Sequence, residues 1–173
     1  MFSLWDMTNE TISAAREPGT ALMRTRTRPC RRILIVDDDS AMRQLNTTAL
    51  TNAGYQVDGA ADGAAGFEAY MATQYDLVIT DNFMPKVTGV EMLKKLHAAS
   101  LAPSVILATR ATPTEEFARH PELQPDITLL KPYNTHQMLK AVDLVLRVAD
   151  ARIQGPPLPK EKGSHSFYGL EPQ

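Results

Sequence analysis

Three short runs of consecutive apolar residues punctuate the chain: Ile33-Leu34-Ile35-Val36, Leu77-Val78-Ile79 and Val105-Ile106-Leu107-Ala108. Runs that are apolar at every position, rather than at alternate ones, mark strands covered on both faces, as in a parallel sheet. Tyr55-Gln56-Val57 and Ile127-Thr128-Leu129-Leu130 carry a weaker version of the same signal and bring the expected strands to five. Between the strands the apolar spacing turns helical. Met42, Leu45 and Ala49 share one expected face, as do Phe67, Tyr70 and Met71, then Val90, Leu93 and Leu96, and finally Met138, Val142, Val145 and Ala149.

The boundaries of these helices are also written in residue types. Thr88-Gly89-Val90-Glu91 and Thr112-Pro113-Thr114-Glu115 both fit a capping box, the second with Pro at the first helical position. Asp39 is placed to cap the first helix, and Gly54 suits the left-handed residue that ends it. Pro113, Pro121 and Pro125 limit the helix between Thr112 and Asp126 to about two turns. Five strand–helix repeats with short loops predict an α/β fold, a doubly wound five-stranded parallel sheet, because parallel neighbours need crossover helices on the faces. Ligands of such a sheet bind beyond the carboxyl ends of its strands.

Composition narrows the classes. In 173 residues there is room for one ordinary domain and a little more. The single cysteine, Cys30, excludes an internal disulfide framework and a multi-cysteine zinc site. No apolar run approaches the roughly 18 residues of a membrane span, and the N-terminus lacks the uninterrupted apolar segment of a secretory signal, so a soluble, cytoplasmic protein with no membrane partner is expected.

Charge divides the chain. Residues 1–32 carry six arginines against three acids, whereas residues 33–150 carry 9 basic and 15 acidic side chains. We read residues 1–30 as a disordered basic leader, 31–150 as the domain and 151–173 as a disordered Pro-rich tail opened by Gly155-Pro156-Pro157-Leu158-Pro159. The run Arg24-Thr25-Arg26-Thr27-Arg28 has no groove-reading element beside it, so nucleic acid is not expected as a partner.

The strand ends carry the chemistry. The first strand ends in Asp37-Asp38-Asp39, the third in Asp81, the fourth in Thr109 and the fifth in Lys131-Pro132. In a parallel sheet these converge on one edge. Two carboxylates about 4 Å apart repel by roughly 4 kcal/mol at an effective dielectric of 20, which favours recruitment of a hard divalent cation, and Mg²⁺ accepts such a mixture of carboxylates, carbonyl and water. With Asp37, Asp38 and Asp81 set against Mg²⁺ and Lys131, the site is near neutrality before any phosphoryl group arrives. A carboxylate beside a metal, an ammonium and a hydroxyl suits in-line attack on phosphorus.

Taken together, Ile33 to Arg43 (ILIVDDDSAMR), Leu77 to Gly89 (LVITDNFMPKVTG), Val105 to Thr109 (VILAT) and Leu129 to Tyr133 (LLKPY) resemble the response regulator receiver domain of two-component signalling, in order and at the family's spacing over roughly residues 31–150. The resemblance implies a flavodoxin-like sheet of strand order 2-1-3-4-5. It also implies that Asp81 is the phosphoacceptor, that Asp37, Asp38, Asp81 and the backbone carbonyl of Phe83 hold Mg²⁺, and that Lys131 and Thr109 contact the phosphoryl oxygens. Lys131-Pro132 falls at the family's usual cis peptide. The implied partners are a sensor histidine kinase or histidine phosphotransfer protein and a downstream target protein, with a homodimer as a further expectation. Apart from its own phosphoryl transfer and dephosphorylation, no enzymatic activity is implied. Only about 23 residues follow Asp150, so no output domain is expected in the chain.

Two positions depart from the family pattern. Arg110 stands where a small residue usually follows the Thr, and its guanidinium either folds over the phosphoryl site or points to a partner. Thr128 stands where many receivers carry a switching aromatic. Arg110 and Thr128, with Thr109 and Tyr133, are therefore the switch or output candidates. They also keep open a non-phosphorylated pseudo-receiver used as an interaction module. A haloacid-dehalogenase-like phosphatase using Asp37-Asp38-Asp39-Ser40 is a weaker competitor, since it leaves Asp81 unexplained. His97, His120, His136 and His165 lack metal-ligand spacing and are read as surface or helix-end residues.

Overall fold

Each of the five apolar runs is a strand. The computed structural model describes residues 30–154, which form β1 (Arg32–Val36), α1 (Ser40–Asn52), β2 (Gln56–Ala60), α2 (Gly63–Ala72), β3 (Leu77–Thr80), α3 (Gly89–Ala98), β4 (Val105–Thr109), α4 (Thr114–Arg119), a 3-10 turn (Pro121–Leu123), β5 (Ile127–Leu130) and α5 (Thr135–Gln154). The strands lie in the order β2-β1-β3-β4-β5, and every neighbouring pair is parallel. This is the doubly wound, flavodoxin-like α/β fold that the repeats predict. Residues 1–29 of the expected leader and 155–173 of the expected tail lie outside the described residues.

Alternation along the strands builds two cores. Ile33, Ile35, Leu77, Ile79, Ile106, Ala108 and Leu129 pack with Leu50 of α1 and Met138, Val142, Val145 and Leu146 of α5. Leu34, Val36, Val78, Val105 and Leu107 face the other way, against Met92, Leu93 and Leu96 of α3 and Phe117 of α4. Each fully buried Leu, Ile or Val contributes about 1.5–3 kcal/mol, so both faces drive the fold.

Local signals act as expected at most ends. Asp39 caps α1 by accepting from Ala41 and Met42, and Thr88 and Glu91 form a reciprocal capping box on α3. Gly54 sits at φ +93°, a conformation that costs other residues energy.

Several expectations need correction. Leu45 is 54% exposed, and the inward stripe of α1 runs instead through Asn46 and Leu50. A period of 3.6 places i+4 and i+8 from Met42 over the sheet and turns Leu45 outward. Met71, expected on one apolar face with Phe67 and Tyr70, is 55% exposed because it lies in the last turn of α2, while Phe67 and Tyr70 pack at the core margin. The second capping box does not form: Pro113 has ψ 67°, outside the helical basin, so α4 begins at Thr114 with no side-chain cap. β2 extends to Ala60 because it pairs residue for residue with β1. The last helix continues to Gln154, past the boundary expected at residue 150, and Arg152 pairs with Asp126 near the start of β5 at 3.3 Å. Asp76, in the loop before β3, accepts from the Arg32 amide at 2.8 Å and pairs with Arg31, which also pairs with Asp150 of α5. Among the described residues, no helix is long and apolar enough to cross a membrane.

Candidate functional site

Parallel register brings the functional positions together. Val36 lies beside Thr80, and Thr109 beside Leu130, so the residues that follow these strands emerge on one edge of the sheet. The ladder continues one step further, with the Asp81 amide donating to the Val36 carbonyl at 2.9 Å and the Lys131 amide to the Thr109 carbonyl at 2.8 Å. Asp37 and Asp81 are buried at the bottom of the resulting cup, 3% and 5% exposed.

Ligand oxygens of Asp37, Asp38 and Asp81 gather within 4.8 Å of one another. Lys131 bridges two of these residues, donating from Nζ to Asp81 Oδ2 at 2.6 Å and to Asp37 Oδ2 at 2.9 Å. Burial acts to lower its pKa, but the hydrogen bonds to Asp81 and Asp37 outweigh it and raise the ammonium above its ordinary value. The peptide bond that follows, Lys131-Pro132, is cis.

The remaining oxygens are held by the backbone. Asp81 Oδ1 accepts from the Phe83 amide at 3.0 Å, and Asp37 Oδ1 accepts from the Asp39 amide at 3.0 Å. Asp38, by contrast, is exposed and accepts no hydrogen bond among the described residues. Asp39 points away from the cup into its helix cap, where the amides of Met42 and Ala41 hold its carboxyl below the usual range. The chemistry is that of an oxygen-only donor set with one open carboxylate, three negative charges and one ammonium. It fits a hard divalent cation and does not fit a soft one.

Backbone approach matters as much as charge. A Cβ on Gly89 would stand 2.3 Å from the Asp81 carbonyl oxygen, so only glycine lets α3 start so close to Asp81. Asn82 Oδ1 accepts from the Val90 amide at 3.2 Å and secures the same junction.

The other expected site residues are placed differently. Thr109 is fully buried at the end of β4, and its hydroxyl donates to the Ala111 carbonyl at 3.1 Å rather than into the carboxylates. Phe83 is 53% exposed. Arg110 is exposed, and Thr128 is half-buried on β5 beside Leu107. Tyr133 packs on the core shared by α1 and α5, where its hydroxyl accepts from Asn46 at 3.0 Å and burial raises its pKa. Three contributors were not singled out from the sequence: Arg43, which donates to the Asp37 carbonyl at 2.6 Å, Asn46 and Asn82. Arg43 closes the ILIVDDDSAMR stretch and Asn82 follows Asp81 within LVITDNFMPKVTG, and those positions are their one signal in the sequence. Asn46 carries none.

Known proteins resemble this chain in sequence and in fold. The family model described as response regulator receiver domain matches residues 33–143. The chain is 34% identical over 122 residues to the probable transcriptional regulatory protein SilR of Salmonella typhimurium, covering 70% of this chain and 54% of that one. It is 33% identical over 116 residues to the transcriptional regulatory protein CusR of Escherichia coli, covering 67% and 51%. It thus spans about half the length of these regulators. Among solved structures, the chemotaxis protein CheY4 of Vibrio cholerae superposes with a TM-score of 0.61 at 30% identity, covering 66% of this chain and 98% of that one. The response regulator TrrA of Thermotoga maritima, solved in complex with Mg(2+)-BeF, superposes at 0.58 with 27% identity and covers 66% and 98%.

Proposed function

The chain belongs to the response regulator receiver domain family, a signalling family rather than one of metabolic enzymes, and from that premise we propose that phosphorylation of Asp81 switches a protein-docking surface. The donor is the phosphohistidine of a sensor kinase or phosphotransfer protein in the cytoplasm. A carboxylate oxygen of Asp81 forms a bond to phosphorus as the P–N bond breaks, and the electron pair departs with the donor's imidazole nitrogen.

Each residue of the cup has a part in that step. The Phe83 amide holds Asp81 Oδ1, which fixes the direction from which the carboxylate attacks. The Lys131 ammonium exchanges its bond to the Asp81 carboxylate for one to a phosphoryl oxygen while keeping Asp37 as its anchor. Thr109 turns its hydroxyl from the Ala111 carbonyl toward the phosphoryl group, which frees the loop that precedes α4. Asp38 and Asp81, backed by Asp37 and with the Phe83 carbonyl as a further ligand, would hold Mg²⁺, whose charge neutralises the phosphoryl oxygens. Adding nearly two negative charges at one loop is enough to bias a two-state surface.

The observation that carries this reading is the Lys131 bridge between two buried aspartates beside the open carboxylate of Asp38. The test is incubation with acetyl phosphate and Mg²⁺. An acid-stable, base-labile adduct should form on the wild-type chain and disappear in Asp81→Asn. Undiminished labelling of the variant would remove Asp81 from the mechanism. A second reading, a non-phosphorylated interaction module, draws on the engaged Thr109 hydroxyl and the non-aromatic Thr128. Under that reading neither labelling nor Mg²⁺ binding depends on Asp38 or Asp81.

A further inference from the structure

We infer that Arg110 is a second phosphoryl-binding cation, whose guanidinium closes over the aspartyl phosphate from the side of β4. The inference rests on Asp81 being the acceptor.

The argument begins with strand parity. Ile35, Ile79, Ala108 and Leu129 are the last members of their strands in the core covered by α1 and α5. Side chains two apart on a strand face the same way. Two residues beyond these four stand Asp37, Asp81, Arg110 and Lys131. Three of that row already meet, with Lys131 bonded to both aspartates at 2.9 and 2.6 Å. Arg110 is the fourth member of the row.

Distance allows the contact. Thr80 pairs with Leu107, which sets Asp81 level with Ala108, and Arg110 lies two residues further along the neighbouring chain segment, one past the end of β4. Strand spacing of about 4.8 Å and a rise of about 3.3 Å per residue put the two Cα atoms roughly 8 Å apart. An extended arginine side chain spans that gap.

Availability completes the case. Every other described arginine is engaged: Arg31, Arg32, Arg119, Arg147 and Arg152 pair with carboxylates, and Arg43 donates to the Asp37 carbonyl. Arg110 alone among the described arginines has no partner, although it stands one residue from a cup holding three carboxylates. Lys131 already serves the cup. Arg110 is therefore free for an anion that arrives later, and its planar fork suits two phosphoryl oxygens at once. It would also supply the contact that the Thr109 hydroxyl, held by Ala111, does not make at rest.

Beryllofluoride binding to the full chain with Mg²⁺, read by ¹⁹F NMR, tests this without turnover. Arg110→Ala should weaken beryllofluoride affinity about tenfold or more, since hydrogen bonds to charged groups are of that size. Arg110→Lys should recover only part of it, because an ammonium lacks the fork. The KM for acetyl phosphate should rise in the same order, with the thermal midpoint unchanged for this exposed position. Equal affinity in wild type and Arg110→Ala would overturn the role of Arg110 alone. Wild-type protein that takes up no beryllofluoride would overturn the role together with the reading of Asp81 on which it rests.

Discussion

Lys131 donates from Nζ to Oδ2 of Asp81 at 2.6 Å, joining residues 50 positions apart, and both side chains are largely withdrawn from solvent, 15% and 6% exposed. The pair is the electrostatic centre of the cup. Removing the ammonium leaves two buried carboxylates uncompensated. Lys131→Met should therefore lose about 3 kcal/mol of stability in urea titrations with EDTA present. Mg²⁺ should raise the midpoint more in this variant than in wild type, because the cup is then one charge more negative.

Asp38 makes the opposite prediction. Its carboxylate accepts no hydrogen bond among the described residues and adds repulsion to Asp37 and Asp81. Without divalent ions, Asp38→Asn should raise the thermal midpoint by a few degrees. In the same melts the Mg²⁺-induced rise seen in wild type should vanish. A variant that is destabilised, or that still responds to Mg²⁺, would show that Asp38 is not the open ligand.

Two glycines separate a packing effect from a conformational one. Gly89→Ala drives a Cβ to within 2.3 Å of the Asp81 carbonyl, so the start of α3 must move. The cost should be about 1–3 kcal/mol, accompanied by weaker Mg²⁺ binding. At Gly54 nothing lies within 4 Å of where a Cβ would stand, but φ is +93°. Gly54→Ala should cost about 1 kcal/mol and leave Mg²⁺ affinity as in wild type. Denaturation and Mg²⁺ titration of both proteins check the contrast.

Acid should destabilise the fold through carboxylates remote from the cup. Asp58 is held below its ordinary 3.8 by its hydrogen bond to Arg32, and Glu116 below 4.5 by its hydrogen bond to Lys94. Glu91 is held below 4.5 by the Thr88 amide in its capping box. Groups whose pKa falls on folding bind fewer protons in the native state, so their contribution is complete above the ordinary value and lost as pH falls through the native one. The thermal midpoint should stay level from pH 7 to about 5 and then drop below about 4. Glu91→Gln should show a shallower drop.

Much of this protein was legible from residue order because two signals are local. Apolar runs such as Leu77-Val78-Ile79 announce strands buried on both faces, and caps such as Thr88 with Glu91 announce helix starts through contacts three residues apart. Four polar strand ends then located the site, since parallel strands of matched register must deliver Asp37, Asp81 and Lys131 to one edge. The misreadings fall where a local signal met a geometric limit. Leu45 and Met71 fit an apolar helical period, yet the sheet covers only part of each helix. Thr112 fits a capping box that the ψ of Pro113 prevents.

The chain order alone determined the layered fold, the acidic composition of the cup and the presence of a lysine at its edge, because these depend on residue type and spacing. Only the packed structure decided how each polar atom is engaged. It tied Lys131 to Asp81 and Asp37, left Asp38 open, turned the Thr109 hydroxyl onto Ala111 and held Tyr133 against Asn46. Those choices depend on distances of a few ångströms between residues far apart in sequence. Such distances exist only once strand register and helix packing have been set together.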